Sequence, residues 1–198
     1  MNLLQSLLVL FETGNTRTNL NWKQSGPNEQ YATFSNQDET FGIFVERLNL
    51  YDFNLPSELE QFSDLNVYSV MFGSVDHSGS VNLTATNSNK KPIVTISIVR
   101  NGLFEKLNDT ADIIVFAAKS EYDDPKTHAS RVSLYTTLTM NYAKRGFTFK
   151  KWNDSKGTYF LLIKNSVYSQ FSRSQMYLLR KQVIDEITIR DKLKRLVK

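Results

Sequence analysis

Few side chains in this chain could do chemistry, and their types narrow what that chemistry is. There is no cysteine, so disulfides, thiolate zinc sites and a cysteine nucleophile are excluded. The two histidines, His77 and His128, are too few for a histidine-rich metal centre, and no metal site is expected. One grouping has informative spacing. His128 and Arg131 stand seven and four residues before Tyr135, which puts all three on roughly one side of a helix. An imidazole, a guanidinium and a phenol so placed form an anion subsite or, with the same composition, a solvated helix edge. A second concentration is electrostatic. Residues 173–198 hold eight basic and three acidic side chains, against three basic and nine acidic in residues 1–65. Such a basic end suits nucleic acid or an acidic protein face, or is a solvated helix face. In sequence its cations are not interleaved with the aromatics that a single-strand platform needs.

The elements that must position these residues follow from periodicity. Leu3, Leu4, Leu7, Leu8 and Phe11 fall at helical spacing and end at Gly14. Strands follow around Leu20 and Trp22, at Tyr31–Phe34 and at Phe41–Leu48, separated by turns at Ser25–Asn28 and Asn36–Glu39. Residues 52–64 are acidic, interrupted by Pro56, and read as a loop or one helical turn. Val67–Val75 and Val81–Thr86 read as strands. Residues 92–107 carry both periods, and their length favours a helix with Pro92 in its first turn and Ser88 or Asn89 as its cap. Asp112–Lys119 is a short continuous apolar run, as in a strand buried on both faces. Thr127–Arg145 is the clearest helix and stops at Gly146. Phe147–Trp152 and Thr158–Lys164 make a hairpin around residues 153–157. Residues 174–197 form an amphipathic helix with Met176, Leu179, Val183 and Ile187 on its apolar stripe.

The chain has 198 residues, 40% hydrophobic and 12% aromatic, enough for one domain with a real core. Disorder as the main state is excluded by the aromatic content. A transmembrane helix is excluded because the longest apolar run, Leu7–Phe11, falls far short of the roughly 18–20 residues required. With no Lys or Arg before Arg17, the N-terminus is a poor secretory signal. Three segments are expected: an apolar N-terminal segment 1–14, a domain over 15–165, and a basic helix over 166–198.

The order of strands, helix, buried strand, helix and hairpin resembles the GNAT family of N-acetyltransferases. Arg131-Val132-Ser133-Leu134-Tyr135, followed by Gly146-Phe147, is similar to the family helix that ends in a Leu-Tyr…Gly-Phe signature. Residues 20–164 also resemble an acetyltransferase-like domain that recurs in tailed bacteriophages. The pieces that carry this are Trp22, Ala32-Thr33-Phe34, Gly42-Ile43-Phe44-Val45, Tyr68-Ser69-Val70-Met71-Phe72, Leu83-Thr84-Ala85-Thr86, Asp112-Ile113-Ile114-Val115-Phe116, Ser130–Tyr135 and Tyr159-Phe160-Leu161-Leu162.

The resemblance implies a GNAT-like mixed α/β fold: a mostly antiparallel sheet with two packed helices, here with an added C-terminal helix. An active member would hold acetyl-CoA on backbone amides of a Gly-rich turn before a helix. The corresponding turn here, Thr86, Asn87, Ser88, Asn89 and Lys90 with their neighbours, has no glycine, and Pro92 removes an amide where the helix begins. Tyr135 would be the general acid, but Gly146 follows it at eleven residues rather than a few. Glu46 and Asp52 are candidate bases that no spacing selects. The implied function is a bacteriophage protein that uses a degenerate GNAT-like fold as a non-catalytic virion or protein-binding scaffold, with no cofactor. The alternative is a CoA-dependent N-acyltransferase on an amine. Partners would be a phage or host protein met through the C-terminal helix and the N-terminal segment, with nucleic acid as the lesser alternative and no membrane. The location would be the virion or the host cytoplasm. Leu10-Phe11-Glu12 also resembles a Leu-x-Glu site cut by prohead proteases of tailed phages, with a docked N-terminal helix as the other reading.

Overall fold

The computed structural model describes residues 20–36, 39–53, 55–75, 81–82, 92–119, 125–154 and 157–196. The expected N-terminal helix, residues 83–86 of the expected strand and the turn at 86–90 lie outside them. Among the described residues eight strands form one mixed sheet: β1 (Lys23–Gly26), β2 (Glu29–Asn36), β3 (Glu39–Leu48), β4 (Val67–Val75), β5 (Val81–Asn82), β6 (Ile113–Lys119), β7 (Phe147–Asp154) and β8 (Gly157–Lys164). Their order is β1-β2-β3-β4-β6-β8-β7, with β5 pairing β4. Among these strands only β4 and β6 pair in parallel. The helices are α1 (Pro92–Leu107), α2 (Pro125–Ala143), the single turn α3 (Asn165–Tyr168) and α4 (Arg173–Leu196).

The central strands are apolar without interruption because both of their faces are covered. Ile114 and Phe116 of β6, with Phe160 and Leu162 of β8, pack under α1 and α2. The intervening Ile113, Val115, Leu161 and Ile163 form a second core on the other face. Leu179, Val183 and Ile187 of α4 close that second core, and Leu179 and Val183 are wholly buried.

Of the two places open to the apolar stripe of the last helix, a flank of the same sheet or a partner chain, it takes the first. A sheet apolar on both faces needs two layers of cover, and the C-terminal helix supplies the second. Its start is fixed by a reciprocal cap: the Gln175 N–H donates to Ser172 Oγ at 3.2 Å, and the Ser172 N–H donates to Gln175 Oε1 at 2.9 Å. Gln175 Nε2 also donates to the Glu58 carbonyl at 3.0 Å, tying α4 to the segment between β3 and β4. That segment, expected as a loop or one helical turn, holds two 3-10 turns, Leu50–Asp52 and Ser57–Phe62, and buries Leu59 and Phe62 in the second core.

The other differences are local. Helix α2 begins at Pro125, whose missing N–H costs nothing in a first turn. Gly146 follows it at φ +90°, a conformation that favours glycine. The β7–β8 turn is shorter than expected, because pairing runs out to Asp154↔Gly157. Asn153 and Thr158 belong to the ladder, and the Thr158 hydroxyl bonds Asn153 Oδ1 at 3.0 Å.

Candidate functional site

The parallel pair forms a fork. β4 and β6 are paired from Val67↔Ile113 to Val70↔Phe116, and there the pairing stops, although β4 runs on to Val75 and β6 to Lys119. Asn66 and Asp112 close the base of the fork: Asp112 N–H donates to the Asn66 carbonyl, and Asn66 donates through N–H and Nδ2 to Asp112 Oδ2. The upper part of β4 has β3 along one edge, with Phe41 opposite Ser74. β5 pairs Ser74 and Val75, so it must lie on the other edge, the one that β6 has left. The C-terminal ends of diverging parallel strands are the general ligand position in open α/β sheets.

Tyr135 lies directly beneath the point of divergence. Its ring centroid is 5.5 Å from that of Phe116, the last β6 residue paired to β4, and 5.8 Å from that of Phe160, edge-on. The residue is 4% exposed. A proton donor for chemistry in the fork would need an accessible hydroxyl, and this side chain is part of the core under α2.

The candidate partners of Tyr135 are not assembled around it. Val45 is buried under α1 and α2, so its neighbour Glu46 leaves β3 on the opposite face, a sheet's thickness from Tyr135. Asp52 is exposed on a 3-10 turn beside the second core. Arg131 sits on α2, and its side chain lies outside the described residues. His128 is half-buried in the first turns of α2. Its Nδ1 is enclosed and has no hydrogen-bond partner among the described residues. With Val132, Lys151, Asn153 and Thr158 it borders a hollow of about 320 Å³. Among the described residues no cluster of three or more His, Asp or Glu could hold a metal ion. No described helix is long and apolar enough to cross a membrane.

No family model, curated protein or solved structure matches this chain.

The fold also makes two groupings that sequence spacing did not reveal. Arg145 places its guanidinium carbon 3.8 Å from the centroid of Phe104, beside Tyr142 and Arg100. Burial, and then the positive charge of Arg145, hold Arg100 below the usual guanidinium range. Burial pushes the Tyr142 phenol above its ordinary range, partly offset by Arg145. The second grouping runs along β7. Lys150 Nζ lies 4.9 Å from the Tyr168 ring centroid, and the Arg180 guanidinium lies 5.1 Å from that of Trp152. Alternation along β7 already put Lys150 and Trp152 on one face, but only the path of α3 and α4 could show what covers them.

Proposed function

We propose that this chain is a non-catalytic scaffold that resembles the GNAT-like domains of tailed bacteriophages, with no bound cofactor. The observation that carries this reading is the burial of Tyr135 under a fork whose freed β4 edge is paired by β5 at Ser74 and Val75. An acyl-CoA arm reaching the end of β4 would compete with β5 for the Ser74–Val75 backbone, and Tyr135 is packed in the core under α2. The sequence has no glycine at Thr86–Lys90, in keeping with the same reading. The partner is a phage or host protein, in the virion or the host cytoplasm. It is met through surfaces other than the apolar stripe of α4, which the chain's own core consumes.

The fork itself favours a second reading, a CoA-dependent N-acyltransferase with Tyr135 as acid and residues 86–90 around the cofactor. Calorimetric titration with acetyl-CoA separates the two. The scaffold reading expects no saturable binding tighter than about 10 μM, roughly −7 kcal/mol. Saturable binding tighter than that, competed by excess free CoA, would favour the enzyme.

A further inference from the structure

We infer that the open edge of the sheet, formed by β7 with α3 and the first turns of α4, is a binding surface for single-stranded nucleic acid. β7 is the last strand in the sheet order, and its outer edge has no strand partner among the described residues. Thr148, Lys150 and Trp152 alternate onto the face that meets α3 and α4. Tyr168 and Arg180 come from those helices to lie against Lys150 and Trp152, so two cation–aromatic pairs stand in a row along the strand. Tyr177, one turn before Arg180 and Lys181, is 61% exposed and takes no part in either core.

The surroundings are basic. Arg173 and Lys181 are exposed on α4 and add to Lys150 and Arg180, against Asp185 and Glu186 in its next turns. A polyphosphate chain suits that charge. The rings decide among polyanions. An unpaired base needs a flat surface, and Tyr177 and the Arg180 plane, backed by Trp152, both provide one. An acidic peptide would use the charges and leave the rings idle, and a duplex keeps its base faces stacked on each other. The cations and aromatics of this row are spread over residues 148–181, which is why their interleaving is absent from the linear sequence. The inference goes beyond the scaffold reading and does not rest on it.

The test uses the full chain and a labelled oligothymidylate of about 20 nucleotides, followed by fluorescence anisotropy at ~50 and ~200 mM salt. Binding is expected at the lower salt and weakens steeply at the higher. Tyr177→Ala, at an exposed position that leaves the cores intact, weakens binding about tenfold with little change in salt slope. Lys181→Gln lowers the slope by about 0.7, the value for one phosphate contact on a single strand. No binding at ~50 mM salt overturns the inference. So does an unchanged affinity in Tyr177→Ala, or competition by polyglutamate or a duplex as effective as that of the oligothymidylate itself.

Discussion

Tyr135 and Phe116 meet with ring centroids 5.5 Å apart at the last residue where β6 holds β4. The contact makes Tyr135 a prop under the fork. Tyr135→Phe keeps the ring and is expected to cost no more than about 1 kcal/mol. Tyr135→Ala opens a cavity between Phe116 and Phe160 and is expected to cost about 3–5 kcal/mol. Urea denaturation of the two variants measures both. An unchanged midpoint for the alanine variant would show that the side chain is not a structural support.

Gly102 lies so close under Leu20 that a Cβ there would overlap Leu20 Cδ1 and sit 3.1 Å from Leu20 Cγ. Alanine in mid-helix is otherwise favoured over glycine by roughly 0.5–1 kcal/mol. Leu20 must therefore move before an alanine fits. Gly102→Ala is expected to be stabilising by about 0.5–1 kcal/mol once Leu20→Ala has made room, and less favourable in the wild-type chain, where Leu20 has to shift. A double-mutant cycle reads this directly, and additive effects would rule out the contact.

Tyr142 carries a buried hydroxyl with no hydrogen-bond partner among the described residues. Tyr142→Phe removes that unpaired group and is expected to stabilise the fold by about 1 kcal/mol. A pH dependence follows from the same burial. The folded phenol titrates above its ordinary value of 10.0, so the unfolded chain gives up its proton first. The stabilisation is fully present below about pH 10 and falls as the pH rises beyond it. Denaturation curves at alkaline pH should show a shallower loss in Tyr142→Phe than in the wild type.

Removing α4 takes Leu179, Val183 and Ile187 out of the core that holds Val67, Ile113, Val115, Leu161 and Ile163. A chain ending at Ser166 is expected to lose its cooperative thermal transition and to aggregate. The single substitution Leu179→Ala is expected to cost about 2–5 kcal/mol. Circular dichroism and size-exclusion chromatography decide it: a folded, monodisperse truncated chain would return α4 to the role of an added element.

What the sequence disclosed, and what it hid, follows from the range of the interactions involved. The alternation in Phe41–Leu48 and Val67–Val75, the apolar run before Lys119 and the helix stopping before Gly146 are local signals, and each element stands within two residues of where they place it. Ile113–Phe116 also announced burial on both faces, but the element covering the second face lies some 60 residues later, and amphipathicity alone does not say which surface Leu179 and Val183 meet. The candidate site was less legible for the same reason. Helical spacing brought His128 and Tyr135 to one side of α2, yet the depth of Tyr135 depends on Phe116 and Phe160. The outward direction of Glu46 depends on which face of β3 the helices cover. The row along β7 needed three elements to be placed before any of its contacts existed.

The four residue pairs between β4 and β6 have a kinetic meaning. Strands β1–β5 and the β7–β8 hairpin pair with neighbours in sequence, while β6 joins the two sets only across long loops: 46 residues separate Asn66 from Asp112, and a comparable stretch separates Ile113 from its partner Ile163 on β8. Closing those loops costs entropy before any contact repays it. The two local sets are thus expected to gain structure early and β6 to unite them late, with Asn66 and Asp112 as the clasp on its β4 side. Weakening the clasp, as in Asp112→Ala, should then slow refolding as well as lower stability, and the folding limb of a chevron plot is where that delay is read.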